Sequence, residues 1–185
     1  MISRLTNWLI KQDAISEQDA LLYSYAITHI IMAALPIVIV FLLSCISGNL
    51  INFLFIIIPF VSIRRYSGGY HAPSAPICLI CSCILLIISV TLSNIINVGV
   101  MLHGIILISI IILTIVSPIS SANKPIEEYE RNIYKRNLIL ILLFFGILYF
   151  ICVCIGPMHS AESLAVGIIL PAILQLPCIL TKHEQ

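Results

Sequence analysis

From about residue 26 to residue 180 the chain is a succession of apolar runs, broken by short polar turns and by two longer polar islands. The runs occupy residues 26–46, 50–63, 77–96, 100–119, 138–155 and 163–180. A helix needs about 20 apolar residues to cross the hydrocarbon of a bilayer, so the pattern predicts an all-α, polytopic membrane protein with six transmembrane helices. The run 50–63 has only 14 residues and falls short at about 1.5 Å per residue. It must borrow flanking residues, thin the membrane, or stop partway and lower the next polar island into the headgroup region. Ser47-Gly48-Asn49, Asn97-Val98-Gly99 and residues 156–162 read as short connections. Pro36, Pro59, Pro171 and Pro177 read as kinks of the kind membrane helices tolerate.

Residues 1–23 differ from the rest. Ile2, Leu5, Leu9 and Ile10 recur at helical spacing, with Trp8 beside them and Arg4, Lys11 and Gln12 between. This segment reads either as an amphipathic helix lying in the membrane interface or as a helix packed on the rest of the protein. It carries Arg4, Lys11, Asp13, Glu17 and Asp19 without an apolar core of its own, so no cleavable signal peptide is expected. Residues 1–185 are expected to form a single integral membrane domain.

Composition sharpens the class. Of the 185 residues 61% are hydrophobic and 9% charged, against roughly 25% charged in soluble domains. The net charge of +1 gives no reason to expect a nucleic-acid partner. The placement of charge also sets a topology. Arg4 and Lys11, Arg64 and Arg65, Lys124, Arg131, Lys135 and Arg136, and Lys182 all fall on one side of a six-span arrangement. By the positive-inside rule that side is the cytoplasm, which puts both termini and the polar loops 64–76 and 120–137 there. Most of the seven cysteines sit in apolar runs, where a thiol behaves as a small hydrophobe. Their odd number prevents complete internal pairing.

The first island, Arg64-Arg65-Tyr66-Ser67-Gly68-Gly69-Tyr70-His71-Ala72-Pro73-Ser74-Ala75-Pro76-Ile77-Cys78, concentrates the candidate chemistry. Pro73 keeps Ala72 out of helical geometry. Ser74 can cap a helix, and Pro76 fits its first turn. Cys78 then lies near a helix N-terminus, where the dipole and free N–H groups favour a thiolate. His71, just before the helix, is placed to take the thiol proton. Gly68-Gly69 permits a tight turn and close approach to a substrate, and backbone N–H groups there or at the helix start suit an oxyanion. Arg64 and Arg65 read as interfacial anchors or as a grip on a carboxylate-bearing substrate. A metal site on His71, Cys78 and Cys81 would lack a second nearby histidine, so neither metal nor cofactor is expected. His29, His103 and His159 are assigned no role. Most of the second island reads as a solvated loop.

Taken whole, the island resembles the accessory gene regulator B (AgrB) family of membrane endopeptidases, which mature the cyclic peptides of Gram-positive quorum sensing. The resemblance rests on Ile63-Arg64-Arg65, on Gly69-Tyr70-His71-Ala72-Pro73-Ser74, and on Cys78 seven residues after the histidine. Pro118 and Asn123-Lys124-Pro125-Ile126 extend it, although a single lysine followed by Glu127 and Glu128 stands where some relatives carry several lysines. It implies that His71 and Cys78 are the catalytic pair, and that Arg64, Gly69 and Lys124 position the substrate, with Arg65 and Gly68 beside them. It also implies a small amphipathic propeptide substrate (AgrD-like) and a homodimer in the cell membrane. The expected reaction is acyl transfer, through a Cys78 thioester that a side chain of the peptide then attacks to close a thiolactone or lactone. Ser67 and Asn123 are candidates for a third residue orienting His71. The competing classes are a small transporter, against which the absence of charge from the apolar runs weighs, and a non-catalytic membrane scaffold, which leaves the His-Cys spacing unexplained.

Overall fold

The computed structural model describes residues 2–68, 75–96, 98–119 and 128–178, and these are mostly helical, without a strand among them. The helices are α1 (Ile2–Lys11), α2 (Ala20–Ile46), α3 (Leu50–Ser67), α4 (Ala75–Ser93), α5 (Val100–Val116), α6 (Glu128–Cys154) and α7 (Met158–Ile173), with a 3-10 turn at Glu17–Asp19 before α2. Among the described residues, four helical segments are long and apolar enough to cross a membrane: Ala20–Ile46, Leu50–Ser67, Tyr129–Cys154 and Met158–Cys178. Leu79–Ser93 within α4, and α5, are apolar but shorter.

The helices are arranged around a central pair, α3 and α7. One apolar cluster, with Ile63, Ile106, Leu113, Leu142, Phe145 and Leu164 among its members, joins the pair to α5 and α6. A second, with Val40, Phe53, Ile56, Leu86, Val90 and Val166, joins it to α2 and α4. The outward faces remain apolar: Ile46, Val100, Met101 and Ile115 are exposed, as suits a surface wetted by lipid. The interior instead collects small and polar residues, including Ser89, Ser93, Ser109, Ser117, Ser160, Glu162, Ser163 and Gln175. Lipid gives helices no hydrophobic reason to associate, so close backbone approach and internal hydrogen bonds must hold the bundle.

α7 shows how its sequence makes it central. Ser160, Ala161, Ser163, Ala165 and Gly167 are small, and every residue from Ser160 to Ile168 is buried. Gly167 lies so close to α3 that a Cβ there would come 2.6 Å from the Ile56 carbonyl oxygen and 2.6 Å from Pro59 Cγ. The helix begins at Met158, ahead of the apolar run expected from residue 163, and so takes in Glu162, which the polar pattern assigned to a loop. Glu162 is buried; its carboxylate accepts a hydrogen bond from the Val98 N–H (3.3 Å) and lies 3.1 Å from His159 Nδ1. At the same end of the bundle, Asn52 Nδ2 donates to Asn94 Oδ1 (2.6 Å) and Asn94 Nδ2 to Asn49 Oδ1 (3.3 Å), tying the start of α3 to the end of α4.

Candidate functional site

The opposite end of the bundle carries the first polar island. α3 does not stop where the apolar run stops at Ile63; it continues through Arg64 and Arg65 to Ser67. Helical hydrogen bonding does not need apolar side chains, and cations in a last turn are favoured by the helix dipole. Arg64, half-buried, folds back over the helix end, its Nη1 donating to the Gly68 carbonyl at 2.6 Å. Arg65 is exposed, with its guanidinium carbon 5.6 Å from the Tyr66 ring centre, within cation–π range. Tyr66 in turn meets Tyr134 of α6 edge-on, ring centres 5.7 Å apart.

Gly68 ends α3 with φ +68° and ψ −153°, a region open essentially to glycine alone. Its freedom serves a backbone contact. Gly68 pairs with Ile119 in an isolated parallel bridge, and the Ile119 N–H donates to the Ser67 carbonyl at 3.1 Å. A Cβ on Gly68 would sit 2.5 Å from the Ile119 carbonyl oxygen. Residues 117–119 leave α5 and lead to the second island, so the start of the first island is joined to the residue just before the second.

A third chain segment closes this junction. Gln175, just past α7, is fully buried; its Nε2 donates to the Ser67 carbonyl (3.1 Å) and to Ser117 Oγ (2.6 Å). Its Oε1 has no hydrogen-bond partner among the described residues. Nothing in the first reading singled out Gln175 or Ser117, although a primary amide inside an apolar run is itself a signal, since an unsatisfied one is costly in lipid.

Of the residues named from sequence, Arg64, Arg65 and Gly68 are thus gathered at this junction. Ser67, a candidate for orienting His71, is buried, and its hydroxyl lies 3.3 Å from the Gly68 carbonyl oxygen. α4 begins at Ala75, which makes Cys78 its fourth residue, one position past the opening N–H groups that lack intrahelical acceptors. Gly69, His71, Asn123, Lys124 and the side chain of Cys78 lie outside the described residues. His103 does have a partner: its Nδ1 lies 2.8 Å from the Tyr149 hydroxyl across α5 and α6.

Apolar outward faces around an interior of small and polar side chains define a multi-pass membrane protein. Residues 2–178 match the family model described as accessory gene regulator B. The chain belongs to that family, and is therefore a membrane component of the accessory gene regulator system. No curated protein and no solved structure matches it.

Proposed function

We propose that this protein is a membrane-embedded cysteine endopeptidase that removes the C-terminal tail of a small AgrD-like propeptide and cyclises the remainder for quorum sensing. The observation that carries the reading is the start of α4 at Ala75, because a cysteine among the first four residues of a helix has its thiolate favoured by the dipole and by free N–H groups. Family membership across residues 2–178 supports it.

In this reading His71 takes the proton from Cys78 Sγ, and the thiolate attacks a backbone carbonyl of the propeptide. The tetrahedral intermediate collapses by breaking the C–N bond. The imidazolium returns its proton to the departing amine, and the tail leaves with a free amino group. The peptide remains as a thioester on Cys78. A cysteine thiol or serine hydroxyl within it then loses its proton to His71 and attacks that thioester, closing a thiolactone or lactone and releasing the Cys78 thiolate, which the imidazolium reprotonates. Exchange between thioesters is nearly isoenergetic, so closure to a thiolactone needs no ATP. Water is the competitor, and shielding of the thioester from it would favour closure over hydrolysis. Arg64, Arg65 and Lys124 supply positive charge for an acidic peptide, with Gly68 and Gly69 giving the peptide backbone room. Six spans, α1 lying in the interface, both termini and the site at the cytoplasmic face, and a homodimer complete the proposal.

Mass spectrometry on the purified protein in liposomes with a candidate propeptide tests it, wild type beside Cys78→Ala. The wild type is expected to release the tail and to carry an acyl adduct on Cys78 that hydroxylamine removes. Cys78→Ala is expected to do neither. Equal tail release by Cys78→Ala would refute the mechanism.

A further inference from the structure

We propose that Gln175 is a positioning residue of this peptidase, holding the two polar loops together at the level from which they leave the bundle; the inference rests on the function proposed above. Ser67, whose carbonyl accepts from Gln175 Nε2, stands four residues before His71 in the sequence. Ser117, the other partner of Nε2, stands seven residues before Lys124. One amide group therefore ties the roots of both loops to the end of α7, the central helix.

Three features make this more than ordinary core satisfaction. The Ser67 carbonyl receives two donors, the Gln175 amide and the Ile119 N–H, so three segments converge on one oxygen. The neighbouring carbonyl, that of Gly68, is held by Arg64, so both peptide units that start the first loop are fixed by side chains. The amide is also only half used. Oε1 is buried with no partner among the described residues. The contacts named above all come from the donor end, which no apolar side chain of similar size replaces. Fixing the root of a loop fixes the direction in which its first residues travel, and an error of 1 Å at reacting groups can cost about 10²-fold in rate.

The test compares wild type, Gln175→Met and Ser117→Ala in liposomes with the propeptide. Single-turnover acylation of Cys78 and the propeptide KM are measured, with the pH profile of Cys78 alkylation by iodoacetamide and Glu-C protease cleavage after Glu127 alongside. Gln175→Met keeps the side-chain length and removes the amide. It is expected to slow acylation by about 10²-fold with KM within about twofold, and to move the alkylation profile towards that of an unassisted thiol, near pH 8.5. Glu-C protease cleavage after Glu127 is expected to speed up. Ser117→Ala, which leaves the Ser67 bond in place, is expected to lose much less. Acylation that falls only in proportion to the folded fraction, with an unchanged alkylation profile, would overturn the inference. Should wild type form no adduct at all, the peptidase reading fails, and with it Gln175 as a positioning residue of it. Faster Glu-C cleavage in Gln175→Met would then show the joint to be purely structural.

Discussion

Substituting Gly167 by alanine probes the packing that the whole bundle depends on. An ideal Cβ there meets Ile56 O at 2.6 Å, Pro59 Cγ at 2.6 Å and Ile56 Cα at 3.1 Å. Ordinary van der Waals contact begins at 3.4 Å, so the two nearest contacts are each roughly 0.8 Å too short. Two of the three atoms are backbone and the third belongs to a proline ring, so no flexible side chain can swing aside. α3 and α7 must separate, and overpacking of that kind costs about 1–3 kcal/mol. Gly146→Ala is the control, because nothing lies within 4 Å of its added methyl group. Both substitutions gain about 1 kcal/mol of helix propensity, so the difference between them isolates the packing cost. Reversible unfolding by SDS in mixed micelles, read by pulse proteolysis, should place Gly167→Ala about 1–3 kcal/mol below Gly146→Ala. Stabilities that agree within about 0.5 kcal/mol, the usual scatter of independent substitutions, would show that α3 and α7 are not in the close contact described.

Two further substitutions test the ends of the bundle. Gly68→Ala combines a glycine-only backbone region with a methyl group 2.5 Å from Ile119 O; a loss of about 1–3 kcal/mol should appear as faster hydrogen exchange at the Ile119 amide. Glu162→Leu orphans the Val98 N–H that the carboxylate now satisfies, so about 1–3 kcal/mol should be lost, whereas Glu162→Gln keeps an acceptor and should lose less in the same SDS titration.

Much of the fold was legible because the composition is extreme, and apolar runs of membrane length leave few alternatives to helices. What the pattern could not supply is which helix lies in the middle. Lipid and protein interior are equally apolar, so exposed Ile58 and buried Ile56 look alike in sequence. The pattern also ended elements at polar residues. Arg64 and Glu162 are both inside helices, one tied to a carbonyl at the helix end and the other buried against the Val98 N–H from the turn before α5. The first island stood out because its polar residues are adjacent in the chain. Gln175 did not, because its partners Ser67 and Ser117 are 108 and 58 residues away and only the fold unites them. Arg64 was read as an anchor or a substrate grip; its link to Gly68 gives it a structural task as well.

The central place of α7 also has a consequence for biosynthesis. Chains emerge from the ribosome at roughly 5–20 residues per second. α3 ends at Ser67 and α7 at Ile173, so α3 waits roughly 5–20 s after its own synthesis before its principal neighbour exists. During that interval the inward faces of α3, α5 and α6 meet lipid or one another, and the roots of the two polar loops lack the amide that joins them. Maturation of the bundle is therefore a late event, completed only when the last hairpin enters the bilayer. A ribosome that stalls within α7 would leave the earlier helices without their central neighbour, a natural substrate for membrane quality control.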